Sequence, residues 1–166
     1  MSPPILLIVG RSNSGKTTLT EKLIRELTSR GVSIGSVKHT HEKFEFDKKG
    51  KDSWRHKQAG ASASLVVTDS RVALVRDDER SEIEKIKTYL KGVDLILAEG
   101  FKTLALPKIE IFRTNSPHDK PICLEDTNLK AFVTDSDFRP DVPIFGLEDI
   151  NEIANLIQTA FLTAGE

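Results

Sequence analysis

Ile5-Leu6-Leu7-Ile8-Val9, running straight into Gly10-Arg11-Ser12-Asn13-Ser14-Gly15-Lys16-Thr17, is the stretch that decides the fold. The unbroken apolar run fits a strand buried on both faces of a parallel sheet, and Pro3 and Pro4 keep a helix from preceding it. Beyond the glycine loop, Lys16 to Arg30 puts Leu19, Leu23, Ile24 and Leu27 on one helical stripe. Gly31 stands where a helix end favours a left-handed residue. Strand, loop and helix together are the context in which Gly, four residues and Gly-Lys-Ser/Thr form a phosphate-binding Walker A loop. Small residues let successive N–H groups of Gly10, Arg11, Ser12, Asn13, Ser14 and Gly15 converge on one anion, and the helix N-terminus adds free donors and a positive dipole end. Lys16 supplies a point charge for the β and γ phosphates, Thr17 a hydroxyl for Mg2+, and Thr18 is placed to donate to the α phosphate.

Working outward, a second strand from Ser33 to Lys38 makes strand-helix-strand, hence a right-handed parallel crossover. The polar stretch from His39 to Gly50 reads as a functional loop. A short helix over Asp52 to Ala59 follows. Ala63 to Thr68 and Arg71 to Val75, split by Asp69-Ser70, read as an antiparallel hairpin. Ile83, Ile86 and Leu90 stripe a further helix, and Leu95 to Ala98 is a buried strand. Strands near Ile109 to Phe112, Lys130 to Val133 and Pro143 to Phe145 precede a last helix over Glu148 to Phe161. The expectation is an α/β protein: a three-layer α/β/α P-loop NTPase sandwich, one mostly parallel sheet with an inserted antiparallel hairpin, in a single domain spanning residues 1–166.

Composition agrees and narrows the function. The 166 residues are 38% hydrophobic and 30% charged, enough for a core that buries roughly 70% of the unfolded surface. Lys and Arg number 24 against 25 Asp and Glu, so no basic field draws the chain to nucleic acid or an anionic membrane. The one cysteine, Cys123, excludes a disulfide framework and a Cys-x-x-Cys site. Ile5 to Val9 is too short for a membrane span and lacks the cationic start of a signal peptide, which favours a cytoplasmic protein.

A metal shell needs an acid beyond Thr17, and in a doubly wound sheet ligands lie beyond the carboxyl ends of the strands. Asp94 opens the strand that Glu99 closes, about 16 Å away at about 3.3 Å per residue, so Glu99 is the nearer acid. Asp47, in the loop after the second strand, is the other candidate, with the character of a switch segment. Lys16, Asp47 and Glu99 are therefore the catalytic candidates, and Thr17, Glu99 and Asp47 the metal-ligand candidates. Gly100 would allow close approach of a phosphate or a water.

GRSNSGKTTL, SVKHTH followed by FDKKGKDSWR and AGA, DLILAEGFK and PKIEIFR together resemble the bacterial molybdopterin-guanine dinucleotide biosynthesis adapter proteins, the MobB family. The resemblance spans nearly the whole chain. It implies a homodimeric GTP-binding protein with weak GTPase activity, working beside a guanylyltransferase that joins GMP to molybdopterin. An Asn-Lys-x-Asp guanine motif is missing. Asp135, closing Val133-Thr134 late in the sheet, is the candidate that could accept from guanine N1–H and N2–H.

Two other classes compete. His39, His41 and Glu42 could bind a transition metal, as in a metal-delivery GTPase, although the resemblance places these histidines in the switch segment. A small-molecule kinase would need an arginine-bearing lid, and Arg71, Arg76, Arg80, Arg113 and Arg139 are scattered. Lys102, Lys108 and Arg113 read as surface charge, or else as contacts for an anionic pterin phosphate. Lys51, Asp52 and Arg55 read as a salt-bridged face or a phosphate contact, and Trp54 and Cys123 as packing.

Overall fold

A computed structural model describes residues 2–40 and 47–162. Its elements are β1 (Ile5–Val9), α1 (Lys16–Ser29), β2 (Ile34–Lys38), α2 (Asp52–Gln58), β3 (Ala63–Val67), β4 (Val72–Arg76), α3 (Glu82–Tyr89), β5 (Leu95–Glu99), β6 (Lys108–Phe112), β7 (Leu129–Thr134), β8 (Ile144–Phe145) and α4 (Ile150–Ile157). Contacts divide the chain into two units, Met1–His39 with Ile86–Glu166, and an inserted Thr40–Lys85, the boundary falling inside α3.

In the larger unit six strands pair in the order β2-β5-β1-β6-β7-β8, every neighbouring pair parallel. All five residues of β1 are buried, as a central parallel strand requires. Leu19, Leu23 and Leu27 of α1 meet Ile153, Ala154 and Ile157 of α4 over Leu6, Ile8, Leu97, Ile109, Ile111 and Val133 of the sheet. Each leucine, isoleucine or valine among them, once fully buried, contributes about 1.5–3 kcal/mol. Arg30 fastens the two helices: its guanidinium donates to Glu26 Oε1, Asn155 Oδ1 and Gln158 Oε1, each at 2.7 Å. The last helix is shorter than the periodicity predicts, giving way to a π-helical turn over Gln158–Leu162.

The inserted unit departs from the expectation of one sheet. β3 and β4 form the predicted antiparallel hairpin, but they pair only with each other, as a separate two-stranded sheet. The hairpin is closed locally, the Thr68 N–H donating to the Arg71 carbonyl at 2.8 Å and the Arg71 N–H to Thr68 Oγ1 at 3.0 Å. In the same unit Arg55 pairs with Asp52 at 3.7 Å, the salt-bridged face expected of α2.

The second face of the large sheet differs chemically from the first. Lys108 and Glu110, alternating with Ile109 and Ile111, point away from α1 and are almost wholly buried at 1% and 0% exposure. Neither the surface nor the pterin-contact reading of Lys108 describes this position. Its ammonium donates to Asp126 Oδ2 at 2.5 Å and to the Leu104 carbonyl at 3.0 Å. Glu110 accepts the N–H groups of Ile122 and Cys123 at 2.6 and 2.9 Å. Burial raises the Glu110 carboxyl above its ordinary value, with those two amides opposing. Cys123 is buried, and burial pushes its thiol up to about 11, so it packs rather than reacts.

The Lys108 hydrogen bond, with help from the Asn128 N–H, holds the Asp126 carboxyl down to about 2. A depressed carboxyl stabilises the fold above its unfolded pKa of about 3.9, and that contribution is lost as pH falls through the folded value. Asp126→Asn is therefore expected to cost about 1–2 kcal/mol at pH 7, the scale of a charged hydrogen bond trimmed for the solvent on the carboxylate's open side. Urea unfolding checks it: the wild type should lose that advantage between about pH 4 and 2, and equal stability of the two proteins at pH 7 refutes the account.

Candidate functional site

The site is built where β1, β5 and β6 end. Gly10 leaves β1 at φ 149°, and a Cβ there would stand 2.5 Å from the Ile111 carbonyl and 2.6 Å from Ser14 Oγ. No side chain fits, so the loop lies directly on β6. Asn13 and Gly15 adopt left-handed φ values of 60° and 96°, turning the chain back into α1. Leu19 N–H donates to the Gly15 carbonyl at 2.9 Å, while the helix entrance carries no side-chain cap. The first-turn amides thus have no side chain competing for them. Ser14 Oγ, fully buried, finds no hydrogen-bond partner among the described residues.

Lys16 lies over the loop with its ammonium donating to the Arg11 carbonyl at 2.6 Å. Burial, the largest influence, lowers its pKa; Glu99 opposes this and Lys38 adds to it. Thr17 Oγ1 lies 3.0 and 3.1 Å from the two carboxylate oxygens of Glu99. Parallel pairing sets this meeting, because Ile8 of β1 is in register with Glu99 of β5. Asp94 sits at the opposite end of the strand, taking the Ser33 N–H at 2.8 Å. Arg11 reaches the other way, its Nε donating to the Lys120 carbonyl at 2.9 Å.

The structure therefore gathers Gly10 to Thr18 and Glu99 in one place. A hydroxyl beside a carboxylate is an oxygen-donor pair suited to a hard cation such as Mg2+. The buried, unpartnered Ser14 Oγ and the excluded Cβ at Gly10 suit a cradle closed around an anion. Asp47 belongs to the inserted unit, where its Oδ1 accepts the Lys48 N–H at 2.8 Å. Asp135 Oδ1 accepts the Thr114 N–H at 2.7 Å and the Thr114 hydroxyl donates to its carbonyl at 3.0 Å, a clasp between the ends of β6 and β7. That N–H, the largest influence, lowers the Asp135 carboxyl pKa.

Sequence reasoning missed two features. Gly100 and Phe101 are both left-handed, at φ 99° and 55°, and the close approach that Gly100 permits is to His39, whose Cβ would lie 3.2 Å from an added Cβ. Phe101, 7% exposed, stacks on the His39 ring at 4.5 Å. His41 and Glu42, the remaining members of the histidine cluster, lie outside the described residues. Among the described residues no three of His, Cys, Asp and Glu group as a metal site. The second feature is an open cleft bordering the cradle at Gly15 and Thr18, with Arg113 and Glu148 on its walls. Only the position of Gly15 and Thr18 hinted at it. Arg139, one of the scattered arginines, donates to the carbonyls of Ser136 and Phe138.

Comparison with known proteins agrees with this architecture. Residues 5–135 match the family described as Molybdopterin guanine dinucleotide synthesis protein B, MobB. The molybdopterin-guanine dinucleotide biosynthesis adapter protein of Escherichia coli is 34% identical, the alignment covering 93% of this chain and 91% of that protein. Its Haemophilus influenzae counterpart is 36% identical over 93% and 88% of the two chains. The crystal structure of Bacillus subtilis MobB superimposes with a TM-score of 0.75 at 27% identity, covering 98% of this chain and 99% of that one. Together with the parallel sheet and its inserted hairpin, these matches establish that the chain belongs to the MobB family of molybdopterin-guanine dinucleotide biosynthesis adapter proteins.

Proposed function

We propose that this adapter is a cytoplasmic, homodimeric GTP-binding protein with weak GTPase activity that assists a partner guanylyltransferase in attaching GMP to molybdopterin. The observation that carries the nucleotide reading is the cradle of Gly10 to Thr17 with Glu99 at its mouth. Thr17 Oγ1 and Glu99 would hold Mg2+, and the ion would supply charge neutralisation at the phosphates. The Thr17 hydroxyl can keep its proton on Glu99 while its oxygen lone pairs face a cation. Lys16 exchanges the Arg11 carbonyl for phosphate oxygens, a move of one flexible side chain. The loop from His39 to Gly50 reports nucleotide state to the partner. Among the described residues no helix is long and apolar enough to cross a membrane.

The dimer reading draws on the hairpin. By register Leu65 lies opposite Leu74 and Val67 opposite Val72, so these four share one face of the ribbon. They are 56%, 43%, 63% and 71% exposed. A two-stranded sheet is marginal alone, and an exposed apolar face of this kind marks an association surface.

Two experiments test the proposal. Calorimetric titration with GTP and Mg2+ should give binding to the wild type and at least about 100-fold weaker binding to Lys16→Ala, two charged hydrogen bonds being removed. Glu99→Gln should lose the Mg2+-dependent part of the affinity, and full GTP affinity in Lys16→Ala sinks the nucleotide reading. For the dimer, sedimentation should give twice the chain mass for the wild type and a monomer for Val67→Lys with Leu74→Glu. A monomeric wild type refutes the homodimer, and a dimeric variant refutes this face.

A further inference from the structure

We infer that the cleft between α1 and the loop joining β8 to α4 is the seat of the purine base, and that Glu148, oriented by Lys22, reads guanine there. This rests on the nucleotide reading above. The cleft shares Gly15 and Thr18 with the cradle, so a ligand whose phosphates lie on the loop continues into it without crossing other structure. Its floor is apolar, Leu19 and Ile111 being almost fully buried, and Leu147 closes one side. Arg113, which carries a planar guanidinium, lines the cleft beside Gly15, near enough that an added Cβ there would meet its Cδ at 3.7 Å. An apolar floor with a planar cation on the wall suits a flat heterocycle, which guanidinium stacks on well.

Glu148 sets the choice of base. Its side chain is 81% exposed, and Lys22 donates to Oε2 at 2.6 Å, which leaves Oε1 and a second lone pair on Oε2 to accept. A carboxylate is acceptor-only. Guanine offers two adjacent donors, N1–H and the 2-amino group, that a carboxylate accepts in parallel. Adenine offers the N1 lone pair and a C–H on the same edge, which sets acceptor against acceptor. Asp135, the strand-end carboxylate that sequence suggests for this task, is not part of the cleft lining. Lys22 is a positioning residue: it holds the carboxylate and need not touch the base.

The test is a set of titrations with GTP, ITP and ATP, all with Mg2+. ITP lacks the 2-amino group and keeps N1–H, so the wild type should bind GTP best, ITP about tenfold more weakly, and ATP most weakly. Glu148→Gln should weaken GTP about 10- to 100-fold while leaving ATP within about twofold, so the preference collapses. Arg113→Ala should weaken GTP and ATP alike, since stacking does not distinguish purines. Because Glu148 is exposed, an unchanged melting temperature certifies that Glu148→Gln is folded. An unchanged GTP-to-ATP ratio in Glu148→Gln overturns the inference, and so does a ratio that collapses in Asp135→Asn instead. Equal binding of GTP and ATP by the wild type also overturns it, while Lys16-dependent binding of both leaves the phosphate cradle standing. Failure of all three nucleotides to bind the wild type removes the cradle reading and this one together.

Discussion

The contact on which the rest depends is that of Gly10 against the Ile111 carbonyl. Any Cβ at Gly10 would lie within 2.5 Å of a backbone oxygen that cannot swing away, because Ile111 is fixed in a strand paired on both sides. The loop can lie that low only because β1 and β6 are adjacent and parallel, their carboxyl ends at one level. The same register, carried across β1 to β5, delivers Glu99 to Thr17. Loop, lysine, hydroxyl and carboxylate are thus one consequence of strand order, which is why ligand sites in such sheets fall beyond the strand ends.

The two faces of the sheet solve burial differently. Against α1 and α4 the core is apolar, and its energy comes from area removed from water. On the other face the chain between β5 and β7 is largely irregular, so its amides and carbonyls have no ladder to join. Glu110 and Lys108 serve as substitutes: the carboxylate caps two amides, and the ammonium takes carbonyls from the Lys102 to Leu104 turn together with Asp126. Arg11 then ties the Gly10 to Thr17 loop to the segment that Glu110 holds, at Lys120. The irregular chain is fastened to the cradle by charged side chains rather than by area.

Much of this was legible in sequence because it is local. An apolar pentapeptide, a spaced glycine loop and a leucine stripe each carry their own geometry, and Glu99 follows from counting along a strand of known direction. What escaped depends on chain segments far apart. Lys108 reads as a surface cation because nothing near it in sequence announces that Asp126, 18 residues on, will meet it in the interior. The hairpin was recognised, but its separation from the main sheet was not, since alternation specifies a strand and not its neighbours. Phe101 at positive φ is held by its stack on His39, a tertiary contact that overrides local preference. Glu148 enters the site only because the end of β8 returns beside α1, and its ion pair with Lys22 spans 126 residues.

Partners within the protein also hold the cradle together. Convergent N–H groups and a partly buried ammonium repel one another. Here the Lys16 ammonium donates to the Arg11 carbonyl at 2.6 Å and lies in the opposing field of Glu99, while Thr17 is held by the same carboxylate. A phosphate of the proposed nucleotide would compete with a neutral carbonyl for the lysine, and a charged acceptor makes a hydrogen bond roughly twice as strong as a neutral one. On the nucleotide reading, binding would then be an exchange of partners at Lys16 and Thr17.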